Sequence, residues 1–278
     1  MALPIEVDAA VGEYLDRADE ALPGAIEGFY VVGSTAMGAF RPGRSDVDFV
    51  AVVGRELSAT ELARLRSSQR RLYAADVARA FGRPPWRWQW PLVCNGVYVR
   101  WDDLARLSTE VVPLAAHVSQ HFVTGRGFDV NPVTWRTLRT RGIAVRGPEP
   151  SGLPIYDDDA GLRMWTRDNL NTYWRRWADS VRRPGLHAVK ANIRHMALAW
   201  AALGAPRLHC TIATGDVISK EAGGEYALEV FDHCWRPLVR DALDYWRGTG
   251  TSFAWAPRRR RESADFVETV IESASHLP

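Results

Sequence analysis

Residues 31–53 read VVGSTAMGAFRPGRSDVDFVAVV. This stretch joins an apolar strand that ends at Gly33-Ser34 to a second apolar strand that opens on Ser45-Asp46-Val47-Asp48. Because strand side chains alternate between two faces, we expect Asp46 and Asp48 to point the same way at a sheet edge. The stretch therefore predicts two carboxylates side by side at the start of a buried strand.

The expected carboxylate pair favours a divalent cation, because two close negative charges repel each other until a cation neutralises them. Mg²⁺ held by one or two carboxylates completes its shell with water and substrate phosphates. Gly33 permits a close backbone approach to such a phosphate, and the N–H groups that follow favour an anion. A D-x-D dipeptide alone is also common as a solvated strand start, so its interpretation depends on the context.

Composition indicates an ordinary globular chain. It has 278 residues, of which 46% are hydrophobic and 24% are charged, enough for one large domain or two modest ones. The net charge of +2 gives no argument for a nucleic-acid or membrane partner, and we expect neither. Three widely spaced cysteines indicate no disulfide framework or zinc site. Without an apolar leader or a membrane-length run, we expect a cytoplasmic protein, acting as a monomer.

The first part of the chain has the pattern of a mixed sheet flanked by helices. Ser58, with Glu61 three residues later, predicts a capping box at the start of a long helix. Gly96 interrupts the third predicted strand and indicates a bulge or a close backbone approach. Residues 102–127 carry only a weak pattern. The predicted elements are helices at 5–22, 59–81 and 131–141 and strands at 29–32, 45–53, 88–101 and 143–146.

The clearest linker is GPEPSGLP at residues 147–154, and it predicts domains at 1–154 and 155–278. Everything after the linker has helical periodicity, with short connections typical of a bundle. Gly204 is interpreted as the end of one helix. The predicted helical segments are 159–182, 186–203, 206–213, 221–246 and 262–275.

Two stretches together resemble a known family. Gly-Ser, a ten-residue spacer and Ser-Asp-x-Asp resemble the signature of the nucleotidyltransferase superfamily, which includes DNA polymerase β and the antibiotic adenylyltransferases. Residues 206–220, PRLHCTIATGDVISK, resemble the R-x-x-Y-[ST]-x-x-T-G-x-I-x-x-K segment of the aminoglycoside (3'')(9) adenylyltransferases, which inactivate streptomycin and spectinomycin. The resemblance implies a polymerase-β-like nucleotidyltransferase domain of mixed sheet and helices, followed by an all-helical domain. It also implies ATP- and Mg²⁺-dependent transfer of AMP to a hydroxyl of a cationic aminoglycoside, conferring resistance.

The resemblance assigns roles by position. Asp46 and Asp48 would hold two Mg²⁺ ions, and Arg207 and Lys220 would reach the nucleotide phosphates from the helical domain. The residues that would cradle the triphosphate are Gly33, Ser34 and Ser45. Trp174 and Asp179 have the spacing of the tryptophan and aspartate with which the family binds the drug.

One position departs from the family. Its general base, a glutamate on the third strand, aligns with Asn95, and a neutral amide cannot accept a proton. Three interpretations follow: another acid serves as base because the alignment is off, the enzyme tolerates a weaker route, or the chain is impaired, by nature or as an engineered acid-to-amide variant. Asp102 and Asp103 lie past the strand end, where the family also carries acids, so neither is an obvious replacement. The alternative functions are transfer to another hydroxylated natural product and nucleotide binding without turnover.

Overall fold

The structure is a computed structural model that describes residues 2–82, 91–182, 191–249 and 257–278. The chain forms two compact units, Met1–Asp157 and Asp158–Pro278. Among the described helices, none combines the length and the apolar character that crossing a membrane requires.

The first unit is built on a six-stranded mixed sheet in the order β5-β4-β3-β2-β1-β6. Strands β2 and β3 run parallel, whereas the other neighbouring pairs are antiparallel. The mixed sheet predicted from the sequence is confirmed. Its strands are β1 (Ile26–Val32), β2 (Val47–Val53), β3 (Cys94–Arg100), β4 (Ala115–Val118), β5 (His121–Val123) and β6 (Ile143–Arg146).

Two helices of the first unit begin at side-chain caps. The Ser58 side chain accepts a hydrogen bond from Glu61 N at 3.2 Å, and Ser58 N donates to the Glu61 carboxylate at 2.9 Å, so the predicted capping box is confirmed. Asn131 caps the next long helix by accepting from Thr134 N at 3.0 Å. The helices are α1 (Ile5–Ala21), α2 (Gly33–Ala36), α3 (Ala59–Phe81), α4 (Trp101–Leu104) and α5 (Pro132–Arg141).

The two faces of the sheet have separate cores. Val47 and Phe49 of β2 pack with α1 and α3 on one face. Val50 and Val52 pack with α5 on the other, which we call the α5 face. Val97 of β3 also lies on the α5 face. Because side chains alternate along a strand, Asp48 and Asn95 belong to the α5 face as well.

The region around β3 departs in part from the sequence expectation. Gly96 makes the predicted close approach, since an added Cβ would lie 2.8 Å from Phe49 Cγ. The strand itself covers only Cys94–Arg100, and Trp101 already begins α4. Residues 88–90 of the predicted strand lie outside the described residues. Residues 102–127, where the sequence pattern is weak, contain β4 and β5. These strands are too short for an alternation of apolar and polar residues to be recognised.

The second unit is helical. Trp174 and Trp200 stack in its core with ring centroids 4.3 Å apart. The last helix begins at Pro257, five residues before the predicted start. The helices are α6 (Asp159–Asn169), α7 (Arg175–Arg182), α8 (Ala191–Thr214), α9 (Lys220–Val230), α10 (Arg236–Arg247) and α11 (Pro257–Ser275), with one π-helical turn at Leu170–Trp174 joining α6 to α7.

Two helix boundaries were predicted wrongly. α8 continues through Gly204 and Pro206 instead of ending there. Gly204 serves packing, because an added Cβ would lie 2.8 Å from Trp174 Cη2. The buried surroundings of α8 override the helix-breaking tendency of these residues. Conversely, the predicted helix 221–246 is interrupted at Phe231, which is buried in an extended conformation. The predicted start at residue 186 lies outside the described residues.

A buried polar cluster links α1 to the sheet. The Tyr14 hydroxyl lies 2.6 Å from the Tyr98 hydroxyl and 2.5 Å from His117 Nε2. All three side chains are buried. Burial lowers the pKa of His117 to about 3, so the imidazole is neutral in the folded protein at neutral pH. Tyr14 is therefore the hydrogen-bonding centre of a neutral network.

We expect Tyr14→Phe to lower the free energy of unfolding by about 1–3 kcal/mol, because buried groups on Tyr98 and His117 lose their partner. Tyr30→Phe is the matched control, since the equally buried Tyr30 hydroxyl has no hydrogen-bond partner among the described residues. Its removal is expected to be neutral or stabilising. Urea denaturation of both variants measures the difference, and equal destabilisation would contradict the assignment.

Candidate active site

Polar side chains meet at the start of the parallel strand pair. Asp46 immediately precedes β2, Asp48 is its second residue, and both are half-buried. The β2–β3 register places Asp48 opposite Asn95. Asn95 Nδ2 donates a hydrogen bond to Asp46 Oδ2 at 2.6 Å. The structure thus places Asn95 beside the D-x-D pair, as the strand alignment predicted.

Asn95 is held at both ends of its amide. The side chain is only 3% exposed, and its Oδ1 accepts a hydrogen bond from Ser119 N at 2.8 Å. Ser119 has a left-handed backbone with φ of 52°, and its carbonyl accepts from Gln69 Nε2. A carboxylate only accepts and a backbone N–H only donates, so these partners fix the orientation of the amide. Asn95 can position Asp46, but it cannot take a proton from a substrate.

The Gly-Ser element touches the D-x-D element. Gly33 begins α2 with a φ of 63°, and an added Cβ would lie 2.8 Å from Asp48 Cγ. Only glycine provides both this backbone conformation and this space. Ser34 follows in α2 and is half-buried. Two motifs that are separated by a loop in the sequence therefore form one site.

Ser45 closes the loop that leads to the carboxylates. Its N donates to Arg41 O at 2.8 Å, and its Oγ accepts from Arg41 N at 3.1 Å. The side chain is buried. Because the hydroxyl accepts in this turn, its hydrogen remains able to donate to a ligand oxygen.

The donor set fits magnesium. In the part of the chain that the structure describes, no three histidine, cysteine, aspartate or glutamate side chains converge as metal ligands. A zinc site would require such a convergence. Two hard carboxylates match the preference of Mg²⁺, whose other positions are filled by water and phosphate oxygens.

Asp129 is a carboxylate near this site that sequence reasoning missed. It lies between β5 and α5 and is half-buried. Burial, and secondly the charge of Asp46, raise its pKa to about 6. A single aspartate before a helix start matches no motif, so no sequence signal distinguishes Asp129 from a surface residue.

Arg207 and Lys220 lie on two helices of the second unit that pack together. Arg207, on α8, is half-buried, and its stem lies against Gly223 of α9, where an added Cβ would be 2.6 Å from Arg207 Cγ. Lys220 is the first residue of α9, one turn before Gly223. Its Nζ lies 4.8 Å from the centre of the Trp246 ring, a cation–π distance. The structure thus brings the two predicted cations onto one helix pair.

The predicted drug-binding pair is not brought together. Trp174 is 4% exposed and belongs to the core of the helical unit, where it stacks on Trp200 and packs over Gly204. Asp179 is exposed on α7. The packing gives Trp174 a structural role, and the spacing match with Asp179 does not correspond to a shared surface.

Two family models and a solved structure match this chain. The family model described as "Nucleotidyltransferase domain" matches residues 12–80. The model described as "Aminoglycoside adenylyltransferase, C-terminal domain" matches residues 180–273. The fold is similar to the crystal structure of the spectinomycin adenyltransferase AAD(9) from Enterococcus faecialis with ATP and spectinomycin. The TM-score is 0.71 at 12% identity, over 95% of this chain and 99% of that one. No curated protein matches the chain significantly.

Proposed function

Because this chain belongs to the aminoglycoside adenylyltransferase family of the nucleotidyltransferase superfamily, we propose that it transfers AMP from ATP to an aminoglycoside hydroxyl and so confers resistance. The preferred acceptors are of the spectinomycin and streptomycin type. The structural neighbour AAD(9) was crystallised with ATP and spectinomycin.

One observation carries the proposal: Gly33 lies directly against Asp48. This contact joins the glycine-serine element, which suits a phosphate, to the carboxylates, which suit a cation. A nucleotide triphosphate with its Mg²⁺ ions presents both groups at once. A solvated strand start would not require glycine at this contact.

Each residue then has a role in the transfer. The acceptor hydroxyl attacks the α-phosphorus, and pyrophosphate leaves with the electrons of the broken bond. Asp46 and Asp48 would hold two Mg²⁺ ions, which supply charge neutralisation for the triphosphate. Gly33, Ser34 and Ser45 line the phosphate side, and Asn95 keeps Asp46 oriented through its 2.6 Å hydrogen bond.

Mass spectrometry tests the proposal. The purified protein is incubated with ATP, Mg²⁺ and a small aminoglycoside panel that includes spectinomycin and streptomycin. We expect one acceptor to gain a single AMP, and no product when EDTA replaces Mg²⁺. A panel without any AMP adduct would refute the aminoglycoside assignment.

A second candidate is nucleotide binding without turnover. The observation that favours it is Asn95, a neutral amide at the position beside Asp46 where a general base is expected. Under this alternative, calorimetry detects ATP and Mg²⁺ binding while mass spectrometry detects no transfer. Calorimetry and mass spectrometry on one protein preparation therefore distinguish the two candidate functions.

The cation pair makes a prediction about nucleotide affinity. We expect Arg207→Ala and Lys220→Ala each to weaken ATP binding by about 1.5–3 kcal/mol, the range for a hydrogen bond to a charged group. Calorimetric titration measures the affinities. Arg175→Ala is the control, because it removes an exposed cation of α7 that bonds Asn171. ATP affinity unchanged in both variants would exclude α8 and α9 from the nucleotide site.

A further inference from the structure

The amide of Asn95 leaves the proposed transfer without a proton acceptor at the expected position. Its Nδ2 and Oδ1 are both engaged, with Asp46 and Ser119. A transfer from a hydroxyl therefore needs another acid on the same face of the sheet. The following inference rests on the proposed function and concerns which residue replaces that acid.

The loop before α5 lies on the α5 face, close to the carboxylates. An added Cβ at Gly127 would lie 2.8 Å from Ala116 Cβ and 3.2 Å from Val97 Cγ1. Val97 follows Asn95 by two residues on β3 and shares its face. Two residues of chain span at most about 7 Å, so Asp129 stays within that distance of Gly127. Asp129 and Asn95 therefore lie on one face of the sheet.

The position of Asp129 is fixed by its neighbours. Val130 packs against the core of the α5 face, and its N donates to Gly127 O at 3.4 Å. Asn131 Nδ2 donates to Phe128 O at 2.9 Å while its Oδ1 caps α5. Asp129 is thus held on an ordered turn directly before a helix.

Asp129 has no hydrogen-bonding or ion-pair partner within the described parts of the chain, although it is half-buried. A partly buried carboxylate without compensation destabilises a fold, and such groups concentrate at functional sites. Burial, and secondly the charge of Asp46, raise its pKa. Asp129 therefore has the character of a reactive group.

We propose that Asp129 is the general base of this chain and takes the role that the family gives to the residue at position 95. A carboxylate oxygen of Asp129 accepts the proton of the acceptor hydroxyl. The hydroxyl oxygen bonds to the α-phosphorus, and the bond from that phosphorus to the bridging oxygen breaks. Pyrophosphate leaves with the bonding electrons, and the proton on Asp129 passes to solvent.

Single-turnover kinetics tests the inference, with ATP, Mg²⁺ and the acceptor identified by mass spectrometry. We expect Asp129→Asn to slow AMP transfer by about 10²–10⁴-fold, the usual contribution of a general base. ATP affinity, measured by calorimetry, is expected to stay unchanged. The apo protein is expected to melt no lower than the wild type, because an uncompensated charge is removed.

Asn95→Asp provides the rescue experiment. It is isosteric, retains an acceptor for Ser119 N, and places a carboxylate beside Asp46. In the Asp129→Asn background it is expected to restore transfer, because position 95 then carries a carboxylate that can accept the proton.

The possible outcomes distinguish a failure of the proposed function from a failure of the assignment of Asp129. A wild type that transfers AMP to no aminoglycoside refutes the proposed function and removes this inference with it. An active wild type with an equally fast Asp129→Asn variant overturns the inference alone. A slow Asp129→Asn variant that melts lower than the wild type also overturns it, because the loss is then structural.

Discussion

Asp48→Asn is expected to abolish AMP transfer, and Asp46→Asn is expected to do the same. Each variant removes one proposed metal ligand from a carboxylate pair that the structure places at the start of β2. Charge stabilisation by a bound metal is worth several kcal/mol, so the loss corresponds to about 10³-fold or more. The fold is expected to remain, because both side chains are only half-buried.

Asp102→Asn is the control for this prediction. Asp102 is an exposed aspartate of α4, which follows the far end of β3 from Asn95. Asp102→Asn removes the same charge as the two test variants, but at a position outside the candidate site. Initial rates of AMP transfer at saturating Mg²⁺, together with circular dichroism of each apo variant, measure the effect. Near-normal rates in either Asp46→Asn or Asp48→Asn would show that the metal assignment is wrong.

Gly33→Ala is expected to reduce both stability and transfer. An alanine at a φ of 63° costs about 1–2 kcal/mol, and its Cβ would also press on Asp48, 2.8 Å from Cγ. Displacing a catalytic group by about 1 Å can slow an enzyme by about 10²-fold. We therefore expect a loss of transfer of about that size in the folded fraction.

Gly24→Ala separates strain from displacement. Gly24 has nearly the same φ, 64°, but no atom lies within 4 Å of its added Cβ. Gly24→Ala should lose only the stability that the left-handed backbone conformation costs an alanine, and it should keep the wild-type rate of AMP transfer. Chemical denaturation and single-turnover rates of both variants make the comparison. Equal rates in the two variants would mean that Asp48 tolerates the extra methyl group and that the contact has no catalytic role.

Features that depend on neighbouring residues were predictable from the sequence. The Ser58–Glu61 capping box needs only a few consecutive residues and is confirmed. The helix predicted at 131–141 is present as Pro132–Arg141. The side-by-side placement of Asp46 and Asp48 follows from strand alternation. Asn95 was identified through the family resemblance, and the β2–β3 register places it opposite Asp48.

Features that depend on distant packing were not predictable. Gly204 was read as a helix end because glycine weakens helices, but the Trp174 ring occupies the space that a side chain would fill. Trp174 matched a drug-binding spacing, but burial makes it a core residue. Asp129 matched no sequence motif, and Asp46, whose charge acts on it, is distant along the chain. In each case the interaction that determines the role of the residue involves residues far apart in the sequence, which local sequence patterns do not detect.

The parallel pairing of β2 with β3 also sets the order in which the site can assemble during folding. The contact between Gly33 and Asp48 is local, because it forms within the antiparallel pair of β1 and β2. The hydrogen bond between Asn95 and Asp46 spans 49 residues and must wait until α3 has crossed over and β3 has docked. Because loop closure opposes such distant contacts, the local half should form first. In a refolding chain, the proposed phosphate- and cation-binding residues should therefore come together before Asn95 reaches Asp46.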